Sequence, residues 1–441
     1  MKNAAENIPL VPSDFIVKEV IIENAFGQAA NIENLVGYFN ISSNIYFAGM
    51  VLRVGILDAA QFWKLFNLNG QEKITLKFRT RKAKSTPDSF KDSEVTLKFR
   101  VIKFPEFAKR DDSAMSVNYE LLAIEEQNFY SKLSSISKSV SGQISNIIRN
   151  ILIKDLNYPE NQLIFSNALQ TAFRGVLPWN TPLKHCDFLR KRLVSKEISP
   201  AFLFSSIVND IQTISLKSLF EIKEEGVYET YVWNKEYQHA RYSWADFREQ
   251  QIRIINLTSQ LGFSRFGQSQ AGAFASNNNF FDLQDGSFKT YNFDYFEDGG
   301  VQRQIIEEHS IFDTDEFPLN KQVNAHKRFE TVNSGQNSIK RFNENDNYSI
   351  LTEKQLHKLR SSHELLSTCR HDFITFGDIN LQPGKIINLT FPNTGENRDS
   401  DAELIDEKLS GDYLVIGTIH SFDQNGKYFV HVKAQREANP S

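Results

Sequence analysis

Two copies of one alternating string do most to limit what this chain can become. Ile74-Thr-Leu-Lys-Phe-Arg79 and Val95-Thr-Leu-Lys-Phe-Arg100 start 21 residues apart, and in each the apolar side chains fall at every second position. A strand sends successive side chains to opposite faces. The pattern therefore predicts two neighbouring strands of one antiparallel sheet, with Ile74, Leu76 and Phe78 inward and Thr75, Lys77 and Arg79 outward. The likeness stops a few residues beyond the shared string, so the copies read as strands and not as units of a longer repeat. Between them, Lys84 to Ser89 is a turn-rich charged loop. Short apolar runs from Ile16 to Val54 read as further strands, and Ala59 to Phe66 as one short helix. Residues 1–125 are expected to form a first β-barrel domain.

The period then changes. Ile136, Val140, Ile144, Ile147 and Ile151 are spaced by four, four, three and four, which predicts one buried helical face with Gly142 near its middle. Leu183 to Val194 reads as a second helix, and Ala201 to Phe204 and Ile211 to Ser215 as strands around a Val208-Asn-Asp210 turn. Residues 126–225 are thus expected to be a mixed α/β domain. From Val227 strands return, Gln251 to Asn256 the clearest. A long irregular insertion around 262–348 follows, polar and rich in phenylalanine. Two readings of it stand open: a partner-facing loop that orders on assembly, or an ordered arm packed on its own domain. Glu353 to Leu366 is expected to be helical, with Leu356, Leu359, His363 and Leu366 on one side. Ile374 to Leu381 and Ile386 to Phe391 flank Pro383 and Gly384, which suit the centre of a type II turn. Tyr413 to His420 and Tyr428 to Gln435 flank Asn425 and Gly426, which suit a tight hairpin. Residues 226–441 are expected to close a second antiparallel β-barrel domain, giving an α+β, mostly β chain of two barrels with a mixed α/β domain between them.

Composition narrows the function. The 441 residues suffice for two to four domains. A formal charge of −4 is too balanced for a surface committed to nucleic acid. Hydrophobic residues at 40% and charged residues at 24% exclude a disordered chain, and 36 Phe against 14 Tyr and 4 Trp predict a phenylalanine core. The two cysteines, Cys186 and Cys369, fit neither a disulfide framework nor a paired zinc site, so folding in a reducing cytoplasm is expected. No apolar signal core opens the sequence and no stretch nears the roughly 18 apolar residues of a membrane span. One charge feature is local: from Lys73 to Arg110 twelve basic residues face four acidic ones. Lys77, Arg79, Lys98 and Arg100 form a candidate basic contact surface. Phe78 and Phe99 alternate with these cations, which favours a solvated or protein-facing sheet over nucleic-acid binding.

Catalytic signatures are mostly absent. No G-x-x-x-x-G-K-[ST] occurs. His363-Glu-Leu-Leu-Ser367 starts like a zinc-binding helix but has Ser367 where the second imidazole belongs. Gly267-Gln-Ser-Gln-Ala271 misses the nucleophile elbow at its last position. Asn343, Asn345 and Asn347 have calcium-loop spacing, but Tyr348 and Lys354 replace the turn glycine and the bidentate acid. His185 and Cys186 are adjacent on an expected helix and so point apart. No catalytic residue, metal or cofactor is expected.

Phe376-Gly-Asp-Ile-Asn-Leu-Gln-Pro-Gly-Lys-Ile-Ile-Asn-Leu-Thr-Phe-Pro392, then Leu409 to Phe422 and the closing strand from Tyr428 to Arg436, resembles the last barrel of baseplate hub proteins in contractile-tailed bacteriophages. The order of elements also resembles that family, with a helix leading into an apolar strand at Phe202-Leu-Phe204. The resemblance implies tail-tube-like barrels in a structural, non-enzymatic homotrimer that adapts a six-fold tail tube to a three-fold central spike. It implies as partners further copies of itself, the spike, the tube, other baseplate (wedge) proteins and the tape measure protein. It also implies a place in the virion tail baseplate, after assembly in the host cytoplasm. Gly377, Pro383, Gly384, Gly411, Asn425 and Gly426 would then set turns and not bind ligands. The alternatives are the hub of a related contractile injection or secretion device, and a carbohydrate-cleaving tail enzyme.

Overall fold

The computed structural model describes residues 12–437 apart from 85, 88, 104–107, 110–116, 167–168, 170, 196–198, 234–243, 261–264, 283–285, 298–304, 306–326, 333–347, 393–404 and 424. The amino-terminal part contains β1 (Ile16–Glu23), β2 (Ala29–Asn31), β3 (Val36–Asn44), β4 (Phe47–Asp58), α1 (Phe62–Leu65), β5 (Lys73–Ala83), β6 (Phe90–Lys103), β7 (Ala108–Lys109) and β8 (Val117–Glu125). The two TLKFR copies lie on β5 and β6, which pair antiparallel with Leu76 opposite Leu97 and Phe78 opposite Val95. Their apolar halves are fully buried, as the alternation requires. Helix α1 starts where Asp58 accepts hydrogen bonds from the Phe62 and Trp63 amides at 2.8 and 3.1 Å.

The middle part contains α2 (Glu126–Leu133), β9 (Ile136–Gln143), α3 (Ile144–Leu156), β10 (Leu163–Phe165), β11 (Ala172–Asn180), α4 (Pro182–Arg190), β12 (Ala201–Val208), β13 (Ile211–Ser218) and α5 (Leu219–Glu224). The helix expected through Ile136 begins only at Ile144, and the residues before it are a strand paired with β11. A step of four residues keeps a side chain on one face of a strand as well as of a helix. Ile136, Val140 and Ile144 therefore satisfied both periods, whereas the exposed Ser137, Ser139 and Ser141 satisfy only the strand. Gly142, at φ +131°, marks the strand's end and is not inside a helix. The β12–β13 hairpin forms as expected, and its turn residues Asn209 and Asp210 take φ of +50° and +65°.

The carboxy-terminal part contains β14 (Val227–Trp233), α6 (Trp244–Gln251), β15 (Arg253–Gln260), α7 (Arg265–Gln270), β16 (Ala275–Asp282), β17 (Phe288–Asp294), β18 (Lys327–Val332), α8 (Tyr348–Leu365), β19 (Cys369–Phe376), β20 (Ile386–Thr390), β21 (Gly411–Phe422) and β22 (Tyr428–Arg436). The stretch expected to lack regular structure supplies a separate three-stranded sheet, β17-β16-β18, in which Phe280 and Phe293 are buried. Asn277, Asn278 and Asn279 hide this strand from a hydrophobicity pattern, since they occupy β16 itself. The strand at Ile374 ends at Phe376 and pairs with β15 and β22, not with β20 across the Pro383-Gly384 turn.

Six strands form a closed ring, β21-β20-β14-β15-β19-β22 and back to β21. It is not wholly antiparallel: β14 runs parallel to both β20 and β15. The β14-α6-β15 crossover makes the second of these possible, because parallel neighbours need a long connection. The amino-terminal strands follow the order β2-β1-β5-β6-β8-β4-β3 and join the ring edge to edge, β3 pairing antiparallel with β21 from Phe39–Phe422 to Asn44–Gly417. A single fourteen-stranded sheet results, and one hydrophobic core runs under both halves. Among the described residues no helix is long and apolar enough to cross a membrane.

Candidate functional site

The seam between the two halves gathers a cluster of packed aromatic rings. Phe422, at the end of β21, stacks on Phe39 at 4.3 Å and on Tyr428 at 4.1 Å between ring centroids. Phe78 and Phe15 meet its edges at 5.0 and 4.9 Å. Four of these rings belong to a phenylalanine core of the kind the composition predicts, and they couple strands from both ends of the chain. Four residues further along the same strand pairing, Ser43 Oγ and Thr418 Oγ1 share a buried hydrogen bond of 3.0 Å.

An ionic contact crosses the same seam. Lys82 Nζ on β5 lies 2.8 Å from Asp378 Oδ2, which also accepts from Tyr228 Oη at 2.8 Å, and the other carboxylate oxygen accepts from the Asn380 amide. Asp378 is almost wholly buried, and burial alone would push its carboxyl up. The Lys82 charge and the bonds to Lys82, Tyr228 and Asn380 outweigh that and hold it below the usual carboxylate range. A second buried acid, Glu125 at the end of β8, accepts from Tyr158 Oη at 2.5 Å and from the Met50 amide at 3.1 Å. Its carboxyl is pushed up by burial. Neither group stands out in the amino-acid sequence. The available signal for Asp378 was an acid two residues before an asparagine at a strand end, a local turn pattern.

The candidate basic surface is found on the outer face of β5 and β6. Lys77 pairs with Glu94 at 3.0 Å, Arg79 with Asp92 at 2.7 Å, and Arg100 with Glu126 at 3.1 Å. Arg81 shares Asp92, and the two guanidiniums hold that carboxyl below its ordinary range. Lys98 is exposed and has no ion pair among the described residues. Three of the four candidate cations are thus ion-paired within the protein.

The turn residues act through backbone. Gly384 takes φ +79°, and a Cβ there would stand 2.4 Å from the Phe204 ring. Gly411 takes φ +124° beside Arg436. Pro383 precedes Gly384 in its turn. Gly426 takes φ +71°, and the Asp423 carboxylate accepts from the Asn425 and Lys427 amides to shape that hairpin. Gly377 packs so closely that a Cβ would collide with Tyr428 at 1.9 Å.

The remaining chemical candidates are dispersed. His185 contacts the Ile136 carbonyl at 3.1 Å, while the neighbouring Cys186 thiol is fully buried and pushed up by desolvation. His363 packs edge-on to Tyr46, and Ser367 donates to the Glu364 carbonyl. Gly267 lies on α7, and Asn343, Asn345 and Asn347 lie outside the described residues. Among the described residues no three His, Cys, Asp or Glu side chains group as metal ligands. Two ring histidines are deeply buried. His371 bridges Ser259 Oγ and Tyr413 Oη, and His420 bridges Tyr428 Oη and the Gln382 amide nitrogen. Burial holds both at about 4, helped at His371 by Arg436.

These histidines give the fold an expected acid sensitivity. Their folded values lie below the unfolded value near 6.5, so the unfolded chain takes up protons first and stability falls as pH drops from about 6.5 to about 4. The loss is on the order of 3 kcal/mol per histidine by the lower limit. Urea midpoints measured across that range should show a shallower slope in His420→Gln. An unchanged slope would count against the assignment.

No family model and no curated protein matches the chain. Among solved structures, a tail protein from Neisseria meningitidis MC58 is similar with a TM-score of 0.52 at 9% identity, over 96% of this chain and 97% of that one. A 43 kDa tail protein of prophage MuSo2 from Shewanella oneidensis gives 0.48 at 9% identity, over 95% and 98%. An E. coli component of the type VI secretion system gives 0.45 at 10% identity, over 97% and 79%. The first of these likenesses is one of fold: along almost its whole length this chain is built like a solved tail protein.

Proposed function

We propose that the chain is a structural hub in the baseplate of a contractile phage tail and performs no reaction of its own. The observation that supports this reading best is the fold shared end to end with the Neisseria meningitidis tail protein. In this reading the closed ring and the amino-terminal sheet are two tail-tube-like barrel modules, spanning 226–441 and 1–125, with 126–225 between them. Three copies then present six similar modules, and closed symmetry covers sheet edges that would otherwise pair without limit. The trimer adapts a six-fold tube to a three-fold spike. Its partners are the central spike, the tail tube, other baseplate proteins and the tape measure protein, and it resides in the virion tail after assembly in the host cytoplasm. The intramolecular pairing of Lys77, Arg79 and Arg100 suits a surface that contacts protein more than nucleic acid.

Native mass spectrometry and electron microscopy of the full chain, alone and with tube and spike proteins encoded beside it, test this. A ring-shaped trimer is expected. A chain that stays monomeric with both partners present overturns the proposal, as does turnover of peptidoglycan or host polysaccharide that one carboxylate substitution abolishes.

A further inference from the structure

A cavity of about 510 Å³ opens where the ends of β5 and β6, the β12–β13 turn, β14 and the segment before β20 converge. Its lining carries Lys82, Lys84, Lys91, Arg248 and Lys385 beside Tyr228, with Glu229 as the acid among its lining residues. Lys82 and Lys91 are direct cross-strand neighbours, a rung on which like charges repel. The same ribbon has one other such rung, Lys73 opposite Arg100, and there Glu126 lies within 3.6 and 3.1 Å of the two cations. At the cavity rung Asp378 answers Lys82 alone. Lys91 and Lys84 have no ionic partner among the described residues.

We propose that this cavity is an anion site that takes a phosphoryl-bearing ligand. A phosphoryl group set between Lys84 and Lys91 supplies the negative charge that Glu126 supplies at the other end of the ribbon. The choice of phosphoryl over carboxylate follows from which donors remain. Arg248, the one guanidinium among the described lining residues, already holds Glu229 bidentately at 2.5 and 2.6 Å. The planar fork that best matches a carboxylate is therefore occupied. Lys385 is paired with Glu225 at 3.5 Å and Lys82 with Asp378, so what is left are the Lys84 and Lys91 ammonium groups, compact point charges with three donors each, which suit the tetrahedral oxygens of phosphate. The volume matches a small ligand. Because the lining comes from three parts of the chain, an occupied site ties them together.

Isothermal titration of the full chain with sodium tripolyphosphate tests the proposal, with citrate at matched ionic strength as the carboxylate comparison. Tripolyphosphate is expected to bind more tightly than citrate. The double variant Lys84→Gln with Lys91→Gln should weaken it by about tenfold, whereas Lys98→Gln on the outer face should leave it unchanged. The single variant Lys84→Gln, at an exposed position, carries the same comparison if the double variant folds poorly. Absence of tripolyphosphate binding, equal binding of citrate, or full affinity in the lysine variants would each overturn the assignment.

Discussion

Replacing Phe422 with alanine is expected to destabilise the folded chain by about 3 to 5 kcal/mol, the range for removing a buried aromatic ring and leaving a cavity. The size follows from position. Phe422 is the ring on which Phe15, Phe39, Phe78 and Tyr428 all converge, so its loss strips contacts from strands of both halves at once. Collapse to refill the space is restricted, because β3 and β21 are hydrogen-bonded side by side at that point. Urea unfolding should show the shift, with Phe26→Ala, whose ring is 71% exposed, as a comparison that stays within about 0.5 kcal/mol of the parent. Equal effects at the two positions would show that the seam does not hold the halves together.

The second large effect is expected at Lys82. Lys82→Met leaves the Asp378 carboxylate buried with hydrogen bonds but no counter-charge, and breaking a buried pair in this way costs about 3 to 5 kcal/mol. Adding Asp378→Asn should recover most of that loss, since the amide removes the stranded charge and keeps an oxygen for Tyr228. The pH dependence should also change sign. In the parent, Asp378 sits below its unfolded value, so its contribution is present above that value and fades as pH falls. Without Lys82, desolvation lifts the carboxyl above its unfolded value, and the contribution then fades as pH rises. If the single and double variants are equally stable, the pair contributes nothing across the seam.

Local chemistry explains which parts were legible in the amino-acid order. The β5–β6 pair, the β12–β13 hairpin and the β21–β22 hairpin each join neighbours in sequence, and each carries its own alternation and turn residues. Pairings between distant segments carry no such mark. Nothing in Val227 to Trp233 announces that it lies parallel to Ile386 to Thr390, and nothing in Phe39 to Asn44 announces β21. The Ile136 to Gln143 strand is ambiguous in sequence because its apolar residues fall at a spacing that two periods share. The Lys82, Asp378 and Tyr228 contact escaped for a related reason: its members are 296 and 150 residues apart and meet only when the sheet is complete.

That edge-to-edge joint also sets a timetable for biosynthesis. Ser43 meets Thr418 across 375 residues, so the edge of β3 that will receive β21 leaves the ribosome long before its mate exists. At a synthesis rate of about 5 to 20 residues per second the wait is on the order of 20 to 75 seconds. During that interval the nascent strand offers unpaired amides and carbonyls to any other growing copy on the same message. Slow long-range closure of this kind makes the yield of correctly folded protein depend on translation speed and on chaperones that shield the waiting edge.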